Sequence, residues 1–329
     1  MKKRLFIFIL LVVLLMFCVM LAIATGGTPL PLSAVFDALL HPERRDMTGT
    51  LLWGLRLPRV IMAMVIGAAL SGCGVVFQAI LRNPLAEPYT LGVSGGGALG
   101  ATIAIILGIS GLPMVFLCFL GCSLSMLLVL GLASLKGFSN TMLILSGVIM
   151  SFLFSSIMML IFSLSSSRDV HASVMWLMGN LSAAPDILVK VLVLIVIPLM
   201  LCQVAFARDL NVLSLGDEKA LHLGLDTKVS RAILFIIASL ITGACVAVSG
   251  VIGFVGLIVP HVMRKAIGTD HHVLLPAAML AGANLLILSD TLAQVLIRPL
   301  ELPVGVITGI LGGAFFLIML LEEGEVVER

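Results

Sequence analysis

The sequence predicts an all-α, polytopic integral membrane protein of about ten transmembrane helices, and three observations carry that expectation. Of its 329 residues, 60% are hydrophobic and 11% are charged, with a mean hydropathy of +1.24. Soluble domains carry about 25% charged residues, so an ordinary soluble enzyme is excluded. The apolar residues also fall in runs of the length a bilayer demands, about 20 residues for a helix crossing about 30 Å of hydrocarbon. Finally, 19 Lys and Arg against 17 Asp and Glu leave a net charge of +2, far from the basic excess of a nucleic-acid binder.

The first segment, 5–25, follows Met1-Lys2-Lys3-Arg4. Its cationic start and the triplet Ala22-Ile23-Ala24 imitate a signal peptide. The run exceeds the usual signal core of about 7–15 residues and further spans follow it, so a retained first helix is expected. The next segments are 60–81, 91–109, 112–135, 141–164, 187–206, 232–249, 251–267, 273–289 and 303–321. The eighth, 251–267, is short for a span and suits a re-entrant element as well. An even count puts both termini on one side. Cytoplasmic loops are enriched in Lys and Arg, and a cytoplasmic N-terminus places twelve such residues inside. Seven lie outside: Arg44, Arg45, Arg56, Arg59, Arg168, Lys190 and Arg298. The expectation is therefore a multi-pass protein of the cell inner (cytoplasmic) membrane with both termini cytoplasmic. The cluster from Arg44 to Arg59 runs against the trend.

Between the segment ends only Gln78 and Asn284 stand out as polar, with no Asp, Glu, Lys or Arg at mid-depth. Proton-coupled carriers need ionisable groups there, which argues against a self-contained secondary carrier. Backbone carbonyls remain available for sodium. Small residues cluster within spans, as in Gly67-Ala68-Ala69, Ser71-Gly72-Cys73-Gly74 and Gly312-Gly313-Ala314, and predict close helix packing. Gly95, Gly97 and Gly100 satisfy G-x-G-x-x-G, and Gly92-Val93-Ser94-Gly95-Gly96 satisfies G-x-S-x-G. Neither follows a strand nor has the acidic, His or Asp partners its chemistry requires. There is no G-x-x-x-x-G-K-[ST] anywhere, so ATP binding through a P-loop is excluded. Cys18, Cys73, Cys118, Cys122, Cys202 and Cys245 all lie in apolar runs without metal-ligand spacing. No catalytic residue, cofactor or metal site is expected, and a single permease domain over 1–329 is.

The polar stretch 208–231 carries more information. Leu215-Gly216-Asp217-Glu218-Lys219-Ala220-Leu221-His222-Leu223-Gly224 reads as a short helix with acidic residues in its first turn, His222 in its last and Gly224 as its stop. Asp226 or Thr227 then caps the next helix. Leu213, Leu215, Leu221, Leu223 and Leu225 are numerous for a solvated loop. One reading is a loop lying on the membrane surface. The favoured one is a docking knob for a cytosolic partner, where apolar anchors ringed by charge are expected.

Further motifs give the chain a family resemblance. They are Arg56-Leu57-Pro58-Arg59, then Gly67-Ala68-Ala69-Leu70-Ser71-Gly72-Cys73-Gly74 continuing to Gln78. Next come Arg82-Asn83-Pro84-Leu85-Ala86-Glu87-Pro88 and Leu91-Gly92-Val93-Ser94-Gly95. After Leu215-Gly216-Asp217-Glu218 follow Gly253-Phe254-Val255-Gly256-Leu257-Ile258-Val259-Pro260-His261, Gly268-Thr269-Asp270-His271-His272, Asp290 and Glu301-Leu302-Pro303-Val304-Gly305. In order and spacing the chain resembles permease subunits of the FecCD family, the binding-protein-dependent ABC importers of iron–siderophore complexes, haem and vitamin B12.

The resemblance implies a type II ABC importer permease architecture and a homodimer around a central translocation path, whose lining residues stay unassigned. Two cytosolic ATPases would lie below it and an extracytoplasmic substrate-binding protein outside. It places ATPase coupling on 208–231, through Leu213, Leu215, Gly216, Asp217, Glu218, Ala220, Leu221, Leu223 and Gly224. It implies iron(III)–siderophore as first cargo, with vitamin B12 or haem as alternatives. It also implies that Arg56, Arg59 and Arg298 dock acidic residues of the binding protein. The plainer reading of these arginines is contact with lipid headgroups or pairing with Glu301, Asp37, Glu43 or Asp46. The chain departs from the family pattern at Glu87, where Asp is usual, in the Ser94-Gly95-Gly96-Gly97-Ala98 run, and at Gln294, where an arginine is frequent.

Overall fold

In the computed structural model, residues 2–26, 30–41, 46–135, 138–181 and 185–327 are described. Glu43, Arg44, Arg45, Lys136 and Arg329 fall outside them. The chain runs α1 (Lys2–Thr25), α2 (Leu32–Leu40), α3 (Met47–Leu51), α4 (Leu57–Leu81), α5 (Val93–Ile106), α6 (Leu112–Ser134), α7 (Asn140–Leu164), α8 (Ser167–Leu177), α9 (Asp186–Ala205), α10 (Ala207–Ser214), α11 (Asp217–His222), α12 (Thr227–Ser249), α13 (Val255–Ile267), α14 (His271–Val295) and α15 (Val304–Val327). All ten apolar segments are helical. Seven helices are long and apolar enough to cross a membrane, while α5, α13 and the apolar part of α15, Val304–Met319, are shorter.

Helix α4 is the spine. A π-helical turn, Leu52–Arg56, joins it to α3, giving a continuous 35-residue helix from Met47 to Leu81. The cations Arg56 and Arg59 therefore lie on its first turns rather than in a loop. Two of its glycines let neighbours close in until backbones touch. A Cβ on Gly67 would sit 2.3 Å from the Gly282 carbonyl oxygen of α14, and one on Gly74 would sit 1.8 Å from that of Gly256 on α13. Ser71 adds a hydrogen bond from its hydroxyl to the Ala278 carbonyl at 2.8 Å. Helix α12 packs on another face through Leu234, Phe235, Ala238 and Ile241, all fully buried. Around this core α1 is held to α14 by Asn284, whose amide donates to the Leu11 carbonyl at 3.1 Å.

The glycines of the apparent nucleotide and nucleophile motifs do the same packing work between α5 and α6. A Cβ on Gly96 would meet the Gly121 oxygen at 2.2 Å, one on Gly100 the Leu117 oxygen at 2.4 Å, and one on Gly97 the Cys122 sulfur at 2.4 Å. The segment 251–267 is not one helix. Its helical part has 13 residues, about 20 Å at 1.5 Å per residue, and is preceded by irregular backbone. Phe254, at φ +68°, turns the chain into α13. Such backbone persists inside a bundle only where protein groups satisfy it. Here the Ile252 N–H donates to the Tyr89 hydroxyl at 3.1 Å, and the Phe254 N–H donates to the Glu87 carboxylate.

Four helices were absent from the sequence reading: α2, α3, α8 and α10. For α8 a signal existed, since Ser166 accepts from the Asp169 N–H at 3.2 Å in the S-x-x-[DE] arrangement that opens a helix. Helix α14 also runs six residues past its expected end at 289, which places Asp290 within it.

Candidate functional site

The 208–231 segment folds as its caps dictate. Gly216, at φ +106°, breaks the chain between α10 and α11. Helix α11 ends in a Schellman closure: the Leu225 N–H donates to the Ala220 carbonyl at 3.1 Å and the Gly224 N–H to that of Leu221 at 2.9 Å, with Gly224 at φ +81°. Asp226 caps α12, accepting from the Lys228 and Val229 N–H groups at 3.1 Å each.

The leucines divide into two sets. Leu213 and Ala220 are buried and seat the segment on the bundle, whereas Leu215, Leu221 and Leu223 are 54%, 61% and 60% exposed. Glu218 is exposed beside them. The outward set makes an apolar surface on a six-residue helix whose position is fixed by charge. Asp217 receives Arg231 Nη2 at 2.6 Å and lies 3.4 Å from Arg82 Nη2. Arg231, nearly buried, also donates to the Phe138 carbonyl at 2.9 Å. On α10, Asn211 accepts from the His271 N–H at 2.9 Å and donates to Asp270 Oδ1 at 3.0 Å. The hydrogen bond from Asn211 holds the Asp270 carboxyl below its usual range. Helices α4, α12 and α14 are thus all tied to this one segment. Arg231 and Asn211 were not picked out from the sequence, because their partners lie as much as 93 residues away.

The three arginines gather at the other end of α4. Arg59 forms a fork on Asp290, with Nε 2.8 Å from Oδ2 and Nη2 3.0 Å from Oδ1, while its Nη1 lies 2.7 Å from Glu301 Oε2. Gln294 completes the group by donating to Asp290 Oδ2 at 2.8 Å, which gives this departure from the family pattern a definite task. Arg56 is buried and donates to the Ile23 and Ala24 carbonyls. Arg298, exposed, donates to those of Thr25 and Gly26 at 3.0 and 2.9 Å. Both therefore close the C-terminal end of α1, where unpaired carbonyls and the helix dipole favour cations. Of the local acids weighed for these arginines, Glu301 pairs with Arg59, while Asp46 caps α3 through the Gly49 N–H at 2.8 Å. The sequence reading did not pair Asp290 with Arg59, because the two lie 231 residues apart.

Motifs far apart in sequence converge near the lower half of α4. Gln78 accepts from Arg264 at 3.0 Å, Glu87 holds the entrance to α13, and Arg82 meets Asp217. Among the described residues no group of three or more His, Cys, Asp or Glu is placed to hold a metal ion.

Comparison with known proteins is consistent over nearly the whole length. The sequence model of the FecCD transport family matches residues 14–322. The chain is 37% identical over 319 residues to the hemin transport system permease protein HmuU of Yersinia pestis, covering 95% of each. It is 38% identical over 274 residues to the vitamin B12 import system permease protein BtuC of Escherichia coli, covering 83% of this chain and 84% of that one. Its fold superposes with a TM-score of 0.85 and 30% identity on a transporter described as a metal-chelate-type ABC transporter in an inward-facing conformation, covering 97% of this chain and 99% of the other.

Proposed function

The chain belongs to the FecCD transport family of multi-pass ABC permeases, and from that premise we propose that it is the membrane half of an ATP-driven importer of a metal chelate. It pairs with a second copy of itself around a central path, in the cell inner membrane with both termini cytoplasmic. Two separate cytosolic ATPase subunits supply the energy and an extracytoplasmic binding protein delivers the cargo. Iron(III)–siderophore is the first assignment. Haem and vitamin B12, the cargoes named for two relatives, are the alternatives.

The observation that carries the reading is the outward leucine set around α11, on an α10–α11 segment fastened to three other helices. Leu215, Leu221 and Leu223 offer an apolar anchor set for the ATPase, and Gly216, Glu218 and Gly224 shape its rim and ends. Displacement of this segment then pulls on α4 through Arg82, on α12 through Arg231 and on α14 through Asn211 of α10. Buried Leu213 and Ala220 keep the knob rigid on the bundle. At the far end, exposed Arg298 meets a carboxylate of the delivering protein, with Arg56 and Arg59 setting its position; rim charges of this kind mainly raise association rates.

The test is the double substitution Leu221→Asp, Leu223→Asp. Both side chains are exposed, so fold stability should shift by no more than about 0.5 kcal/mol. Co-purification of the ATPase should fall at least about tenfold, as expected when apolar anchors are lost. Stoichiometric ATPase retained by the variant overturns the coupling role. Proteoliposomes of the assembled transporter, offered ferric siderophore, haem and vitamin B12 in turn, assign the cargo.

A further inference from the structure

Beside the coupling segment lies a cavity of about 420 Å³, bounded by the C-terminal end of α4, the end of α10 and the α13–α14 junction. Its polar lining comes from Gln78, Arg82, Ser214, Arg264, Thr269 and His271. Three of these carry unspent interactions. Arg264 makes no ion pair among the described residues; its Nη2 donates to the neutral Gln78 amide oxygen at 3.0 Å. Arg82 faces Asp217 at 3.4 Å, but that carboxylate is already taken at 2.6 Å by Arg231, so two guanidinium groups share one negative charge.

His271 is 4% exposed. Its backbone N–H and its Nδ1 both point at Asn211 Oδ1, at 2.9 and 2.7 Å. An amide oxygen accepts only, so Nδ1 carries the ring proton, and Nε2 is buried with no hydrogen-bond partner. Buried polar atoms are nearly always paired, and this ring nitrogen is an unmet acceptor on a residue that lines the cavity. The other carboxylate nearby, Asp270, is engaged by Asn211 at 3.0 Å, by the His272 N–H at 3.2 Å and by Arg4 at 3.8 Å. Neither carboxylate pairs with Arg264, and Arg82 has only a share of Asp217.

We propose that this cavity binds a phosphate group, either in the headgroup of an anionic phospholipid or as free inorganic phosphate. Arg264 and Arg82 supply the charge-assisted donors that phosphate oxygens favour. Basic pockets between membrane helices on the cytoplasmic side take such headgroups, and the mouth here, formed by exposed Arg82, Ser214 and Thr269, is open to one. The site is lined by none of the outward leucines, but it shares Arg82 with the contacts that hold α11.

The full chain is purified in two settings. In nanodiscs of phosphatidylcholine containing phosphatidylglycerol, native mass spectrometry counts the phosphatidylglycerol retained per chain. In lipid-free detergent, equilibrium dialysis measures bound inorganic phosphate. Wild type should hold one equivalent of at least one probe, and Arg264→Gln should weaken that binding about tenfold or more, the scale of one lost charge-assisted contact. Thr269→Glu, at an exposed position, places a carboxylate in the mouth and should do the same; it decides the matter if Arg264→Gln is not monodisperse. Loss confined to the phosphatidylglycerol arm assigns a lipid headgroup, and loss in the phosphate arm assigns the free ion. If wild type binds neither probe, or Thr269→Glu binds as wild type does, the proposal is wrong.

Discussion

At one end of α4, Arg59 is forked onto Asp290, braced by Gln294 and Glu301, while Arg56 and Arg298 close the end of α1. At the other end Arg82 and Arg231 share a single carboxylate, Arg264 rests on an amide and three leucines stand in the open. The first end has its guanidinium groups engaged within the chain by carboxylates or helix-end carbonyls, and the second leaves both apolar surface and positive charge unmatched. Buried pairs are costly to break because the survivor is left without compensation, so the first end is built to hold its shape. Unmatched groups suit the second end to meet other molecules. The same helix joins the two, so what one end receives the other is positioned to feel.

Three experiments test that contrast, beginning with the spine on which it depends. Gly74→Ile should abolish the folded, monodisperse protein in fluorescence-detected size exclusion, since its Cβ would fall 1.8 Å from the Gly256 oxygen and overpacking against backbone costs more than about 3 kcal/mol. Normal yield would mean that the two ends are not rigidly joined. Next, Arg59→Ala should lower stability by about 3–5 kcal/mol by stranding Asp290, while Arg59→Met with Asp290→Leu should recover most of it. Thermal unfolding in detergent reads both, and equal loss in the two variants would show that the pair is not the source of rigidity. The smallest effect on the fold belongs to Arg298→Glu. It forfeits two hydrogen bonds to carbonyls at the end of α1 and should cost about 1 kcal/mol or less. It should also slow association of the delivering protein at low salt, measured by stopped flow. Unchanged kinetics there would confine Arg298 to its capping role.

Local features were legible in the sequence to the extent that their causes are local. The α11 boundaries, the Gly224 stop and the Asp226 cap follow from residues within one turn of each other, and the apolar runs follow from composition. The number of segments was readable for the same reason. What sequence reading missed depends on distant partners. Nothing adjacent to Asp290 announces Arg59, 231 residues away, and nothing around Asn211 announces His271. The inward and outward leucines of the coupling segment were also indistinguishable, because helices this short have too little periodicity to show a face. The break in 251–267 was hinted at only by its length. Its physical basis, satisfaction of irregular backbone by Glu87 and Tyr89, lies on another part of the chain.

The facing glycines of this bundle also set a limit on how it can change over time. Where Gly67 meets Gly282, and where Gly96 meets Gly121, each residue presses on the main-chain oxygen of the other, at 2.1 to 2.3 Å for a hypothetical Cβ on either side. Most packed pairs can drift, one side chain growing while its neighbour shrinks to make room. Here both members are already the smallest residue available and the obstacle is main chain, so no second substitution can restore the fit. Such positions have no compensating neighbour, and a library randomised at Gly67 and Gly282 together should return glycine at both.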